Sequence, residues 1–472
     1  MPDTAMPTSS LSAEALAAPR TARYALEVPA GARARLAARW LWLALAALLG
    51  SGLFSILLVL ARAPVTQKLF ATADFFRVAL VVHVDLSVLV WFSAFAGLLW
   101  TLNAAERALG LARAGLAACA AGTLAMAAAP FLEDAPPVMS NYVPVLDGPV
   151  FLGGLAVFAL GAALLVARSM LAARRVGTRP DGAAALAFGL NAAAVSAAVA
   201  LIAFAWSWLL LPPGLDGKAH YEVLFWGGGH VLQFTWTLLM FAAWLVLADA
   251  SGARVPLSPR VSILLFAIGL VSVFATPVIY LAYEITSVEH YRLQTWLMRI
   301  GGGLAILPFA AALLYALAVA PRAQGAERPL RAALWWSLIL FGSGGVIGLM
   351  IDGSNVKIPA HYHGAIVGVT LAFMGLAYHL LPRLGYAAPS SRLATVQAWL
   401  YGAGQLAHIT GLVWSGGYGV QRKVAGAEQA LRGAEQMAAM GLMGLGGLAA
   451  VAGGLVFVIV VLRSLWTSSG SR

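Results

Sequence analysis

Lys357 to Gly385 reads KIPAHYHGAIVGVTLAFMGLAYHLLPRLG. No Asp, Glu, Lys or Arg interrupts it between Ile358 and Leu381. That is enough to cross a bilayer, for which about 20 apolar residues suffice. Two histidines, His361 and His363, stand near its start. An ionisable side chain inside a membrane is costly and points to function. A helix turns about 100° per residue, so side chains two apart point about 200° from one another. His361 and His363 therefore cannot grip one metal together from a regular helix. Each can hold a different group on opposite sides of it. Imidazole is a common axial ligand of heme, and two hemes flanking one helix need this arrangement.

The rest of the chain has the same character. It is 61% hydrophobic and 10% charged, whereas soluble domains carry about 25% charged residues. Apolar runs at 38–61, 78–103, 111–131, 149–172, 184–211, 223–248, 260–283, 294–320, 330–351, 359–382, 393–415 and 437–463 predict an all-α polytopic membrane protein of about twelve transmembrane helices. Residues 1–36, rich in Ala, Ser, Pro and Arg, are expected to form a disordered cytoplasmic tail, 37–465 the membrane domain and 466–472 a short cytoplasmic tail. The net charge of +11 does not imply nucleic acid, because the arginines fall in short loops between apolar runs. Arg168, Arg174, Arg175, Arg254, Arg260, Arg322, Arg328, Arg383 and Arg392 share one side if both termini are cytoplasmic. The loop with Arg422, Lys423 and Arg432 is the exception. The expected location is a bacterial inner membrane, with lipid as the surrounding partner. The single Cys119 excludes an internal disulfide, a multi-cysteine metal site and a Cys-x-x-Cys-His heme attachment.

With this topology the spans carrying His83, His230, His361 and His363 all enter from the outer face. Four histidines from three distant segments thus share one depth, the outer third of the membrane. The remaining histidines have plainer readings. His379 and His408 read as interhelical hydrogen-bonders away from that cluster. His220 falls in a loop, and His290 with Glu289 in a solvated outer loop.

These segments resemble a known family. HVDLSVLVWFSAFAG from His83, FWGGGHVLQF around His230 and the stretch from Lys357 to Gly385 resemble the second, sixth and tenth helices of catalytic subunit I of the heme–copper oxidase superfamily. YVPVLDGPVFLGG from Tyr142 and SGGYGVQRK to Lys423 resemble its loops. The likeness is nearest the nitric oxide reductase, cbb-type and ba-type branches. It implies a subunit I-like bundle with two hemes, b-type at the low-spin position. His83 and His363 would ligate the low-spin heme from both sides, and His361 the high-spin heme. His230 would stand where the first ligand of a copper or non-heme iron sits. The implied function is respiratory electron transfer, reducing dioxygen or nitric oxide at the high-spin heme, with His361 and His230 as catalytic residues. Electrons would come from a separate donor subunit, a cytochrome c or quinol.

One segment departs from the family pattern. The seventh helix should offer two adjacent histidines, but FATPVIYLAYEITS (Phe274 to Ser287) has none, and Leu281-Ala282 takes their place. Phe234 stands where many oxidases have a tyrosine. Glu284 reads as an interfacial residue, with Tyr283 beside it. One nitrogen ligand does not hold copper usefully, so a remnant or altered second-metal site is expected. Two function classes follow: a working terminal reductase, or an inactive diheme electron-transfer or gas-binding subunit on the same scaffold. A heme-free transporter is a weaker third class.

Overall fold

A computed structural model describes residues 23–66, 73–424, 431 and 433–467. Twelve long helices run in chain order: α1 (Ala32–Arg62), α2 (Phe75–Asn103), α3 (Leu109–Leu132), α4 (Pro149–Leu171), α5 (Gly182–Leu210), α6 (Gly217–Ala250), α7 (Pro259–Ala282), α8 (Val288–Val319), α9 (Glu327–Leu349), α10 (Lys357–Leu380), α11 (Ser391–Gly417) and α12 (Ala434–Thr467). Eleven of them are long and apolar enough to cross a membrane. The twelfth, α11, has comparable length but carries Thr395, Gln397, Gln405, His408 and Thr410. The expected twelve spans fall on these helices. The end at which α2, α6 and α10 begin is termed outer, after the arginine distribution.

α6 and α10 form the interior: 78% and 83% of their apolar windows are buried, against 28% for α1. A helix enclosed on all sides reads apolar all round, as these do. Where helices meet most closely, glycine removes the side chain between them. Gly344 of α9 and Gly364 of α10 face each other backbone to backbone, which brings an α9 carbonyl beside His361. At the inner end, the wholly buried Arg168 donates to Trp100 O (3.3 Å) and Ala105 O (3.1 Å). The guanidinium adds a second bond to Trp100 O, which already accepts from Ala104 N, and ties the chain just past the end of α2 to α4.

Two local features shape the outer half. α2 changes winding at Asp85–Val90, a π-turn that begins two residues after His83. The His83 carbonyl is bonded by the hydroxyls of Ser87 (2.6 Å) and Ser51 (3.3 Å). Between α3 and α4, β1 (Pro137–Val138) pairs antiparallel with β2 (Val145–Leu146), turning residues 139–144 back towards α6. An Asn355–Gln421 bridge joins the outer loops flanking α10 and α11.

Within the expected 1–36 segment, residues 23–36 are described. α1 starts at Ala32, and Tyr24 is 1% exposed with its hydroxyl on Leu257 O (2.8 Å). Residues 1–22 and 468–472 lie outside the described residues. α8 also starts earlier than the expected residue 294. Ser287 caps it by accepting from His290 N (3.2 Å), as serine does at helix starts. His290 is therefore not in a solvated loop. It is on the first turn of α8, 1% exposed, against Tyr280.

Candidate heme centres

His83 places Nδ1 3.0 Å from both Ser51 O and Ser51 Oγ of α1. His361 places Nδ1 2.7 Å from Gly344 O of α9. A carbonyl only accepts, so in each case Nδ1 carries the proton and Nε2 keeps its lone pair. Metal-bound histidines are oriented by such an outer hydrogen bond. Both rings therefore suit an axial heme ligand.

His363 lies on the other side of α10. Its ring is 5.1 Å from that of His408 on α11, while His361 packs against Gly344 and Gly348 of α9. The opposed directions follow from the helical turn. His408 does bond between helices, with Nδ1 2.9 Å from Met443 O on α12. It is not remote from the cluster, however, because α11 packs beside α10 and delivers the ring to His363. Arg62, at the end of α1, is within electrostatic reach of His363 and His408. The space around His363 and His83 thus gathers α1, α2, α10, α11 and α12.

The surroundings of His230 are organised by the glycine triplet before it. Each position admits one aromatic ring: Gly227 faces Tyr280, Gly228 faces Phe204 and Gly229 faces Tyr142. His230 is 2% exposed, with Nδ1 2.7 Å from Trp226 O. Its Nε2 is therefore an acceptor, and the Tyr142 hydroxyl donates to it at 2.9 Å. A Cβ at residue 229 would fall 2.2 Å from Tyr142 Cγ. Gly229→Ala is expected to displace Tyr142 and cost about 1–3 kcal/mol, as overpacking does. An unchanged unfolding midpoint in detergent would refute this.

α7 turns Tyr280 inward, with its hydroxyl on Ser207 Oγ (2.7 Å) and Ala203 O (3.2 Å) and its ring 4.7 Å from His290. Leu281 is 77% exposed, and Ala282, Tyr283 and Glu284 are exposed too. α7 itself contains no histidine or carboxylate. Among the described residues, no group of three His, Cys, Asp or Glu is placed to hold a metal ion. His290 Nδ1 and Gln294 Nε2, one turn apart on α8, are buried without a partner. The residues present fit two hemes and do not fit a second metal on His230, whose nitrogens are both bonded.

The other histidines sit at helix ends. His379 meets Arg383, which donates to its carbonyl at 2.8 Å. His220, on the first turn of α6 rather than in a loop, places Nδ1 3.1 Å from Leu215 O. Sequence reading missed Tyr142 as a site residue. The available signal was its place at the head of YVPVLDGPVFLGG, together with a glycine triplet that leaves a ring-sized gap beside His230.

Comparison with known proteins agrees with this arrangement. Residues 35–449 match the family model described as cytochrome C and quinol oxidase polypeptide I. An uncharacterized protein of Rickettsia prowazekii is 27% identical over 516 aligned positions, covering 93% of this chain and 97% of its own. One of Aquifex aeolicus is 28% identical over 353, covering 74% and 85%. A heme–copper terminal oxidase solved as a dimer by cryo-electron microscopy superposes with a TM-score of 0.68 at 17% identity, over 94% of this chain and 85% of that one. That superposition shows the fold. In general terms the protein is a multi-pass membrane oxidoreductase subunit of a heme-binding family. The chain belongs to the cytochrome c and quinol oxidase polypeptide I family, the catalytic subunit of heme–copper oxidases.

Proposed function

We propose that the protein reduces dioxygen or nitric oxide at a high-spin heme held by His361, with electrons passed from a low-spin heme held by His83 and His363. The observation that carries this reading is the pair of opposed rings on α10: His361 oriented by Gly344 O, and His363 turned to α11. When bound, a five-coordinate heme offers an open position for a small gas. Elsewhere in the outer half the chain pairs a phenol on Tyr142 with an imidazole on His230. Electrons enter from a separate subunit, a cytochrome c or quinol. The arginine distribution supports an inner-membrane orientation with both termini cytoplasmic.

A second reading, a diheme electron-transfer or gas-binding subunit without turnover, has one observation in its favour. The Tyr142 hydroxyl caps His230, and α7 offers no inward metal ligand. Both readings predict far less than one tightly bound copper per chain. Elemental analysis after dialysis, with heme content and dioxygen and nitric oxide consumption on the same sample, separates them. Two hemes with turnover and no copper support the first reading, and two hemes without turnover the second. Stoichiometric copper would show that ligands converge in a way the described side chains do not.

A further inference from the structure

At the inner end, the segment leading into α1 meets the ends of α2 and α4 around a cavity of about 490 Å³. Small-molecule sites span about 300–1,000 Å³. The segments that bound this one are fixed. Tyr24 pins the stretch before α1, its hydroxyl bonded to Leu257 O (2.8 Å) and Ser262 Oγ (2.7 Å). Ala105 N, just past α2, donates to Ala172 O at the end of α4 (2.8 Å). Asn103 Nδ2 donates to Asn191 Oδ1 (2.9 Å), and Asn191 Nδ2 to Arg174 O (2.9 Å).

The lining is strongly cationic. Arg33, Arg107, Arg174 and Arg175 face a single lining carboxylate, Glu27. Arg174 engages that carboxylate at 2.7 Å. Arg33 donates to Ala104 O and lies 3.7 Å from the exposed Glu106, while its Nε is buried without a hydrogen-bond partner. Among the described residues, Arg107 and Arg175 have no bonded partner. A fifth guanidinium lies behind the lining. Arg168 is wholly buried, donates to Ala105 O, and leaves its Nε buried without a partner. It is within electrostatic reach of Arg33. Arginines in inner loops orient a membrane protein, but that role needs only solvated charge. It does not call for a buried guanidinium behind a cavity with no carboxylate bonded to it. Buried charge is normally paired, and the partner that suits this arrangement is an anion.

We propose that the inner-end cavity binds a phosphate-bearing anion on Arg107, Arg175 and Arg33. The planar fork of arginine matches phosphate oxygens two at a time. A cleft lined by one sign of charge also concentrates the opposite sign. The phosphate belongs either to a phospholipid headgroup or to a soluble phosphate. The remaining wall favours the lipid: Leu102 and Leu171 stand beside the arginines, and Leu171 is 70% exposed on the last turn of α4. Basic pockets between helices at this level of a membrane take anionic headgroups. The cavity is at the opposite end of the bundle from His361, so the proposal is independent of the heme reading.

The test uses the full-length protein in detergent. It is titrated with phosphatidylglycerol against a phosphatidylcholine background, with bound lipid counted by native mass spectrometry, and separately with inorganic phosphate by equilibrium dialysis. Phosphatidylglycerol is expected to bind in preference to phosphatidylcholine. Arg107→Gln combined with Arg175→Gln should weaken that binding about tenfold or more, since each arginine near an anionic headgroup is worth about fivefold. Neither guanidinium bonds to the described chain, so the unfolding midpoint should hold. If the pair lowers it, Arg107→Gln and Arg175→Gln singly carry the test, at about fivefold each. Arg322→Gln with Arg328→Gln removes the same charge from another inner loop and should leave the preference intact. Selective phosphatidylglycerol binding identifies a lipid headgroup. Saturable inorganic phosphate binding that the Arg107 and Arg175 substitutions abolish identifies a soluble phosphate. Binding of neither probe, wild-type binding after the Arg107 and Arg175 substitutions, or an equal loss after those at Arg322 and Arg328 overturns the proposal.

Discussion

His361→Ala is expected to abolish carbon monoxide binding to the reduced protein while leaving the low-spin spectrum at full intensity. The reason lies in α10. His361 is fixed by Gly344 O with Nε2 free, and His363 is on the opposite side in contact with α11. Outer hydrogen-bond partners alone are worth about 10–100-fold in metal affinity, so loss of the ring itself should cost more. The substitution also leaves Gly344 O without its imidazole partner, at about 1–3 kcal/mol. A His361→Gly variant supplied with free imidazole separates this cost from ligation, because restored gas binding identifies the lost group as the ligand. Loss of the low-spin spectrum with intact carbon monoxide binding would mean that the two histidines have been exchanged.

His83→Ala and His363→Ala should each remove the low-spin heme. A bis-histidine heme gives a sharp reduced visible spectrum, which provides the measurement. His83 is held to Ser51 of α1 and His363 sits beside His408 of α11, so the two rings approach this space from different helices. His408→Ala should keep the spectrum, since that ring is bonded to Met443 O of α12. Full intensity in both His83→Ala and His363→Ala would refute the assignment.

The helices were legible because lipid requires every backbone group to be satisfied within its own segment. Each span therefore advertises itself as an unbroken apolar run. The opposed directions of His361 and His363 were legible for a similar reason, since helical geometry alone separates them. What the sequence hid depended on ends and on distant contacts. His290 was misplaced because its burial turns on a cap at Ser287 that begins α8 early. His408 was set apart because its depth says nothing of its neighbour, and only the packing of α11 beside α10 brings it to His363. Tyr142 meets His230 across 88 residues, through a two-residue hairpin too short to show as strands.

The π-turn in α2 has a consequence for how that helix serves two clients. A single extra residue in a helical turn rotates everything beyond it by about 100°. The segment before Asp85 is phased to Ser51, so its azimuth is set by the His83 ring. The segment after it is phased to the bundle: Phe95 stacks on Phe373 of α10 at 4.8 Å, Trp91 meets Phe457 of α12 at 6.1 Å, and Trp100 donates to Leu190 O of α5. A continuous α-helix would lock these two angles together, and a shift in either would propagate to the other. The π-turn fixes a different offset between them, which lets His83 face Ser51 while Trp91 and Phe95 face the bundle.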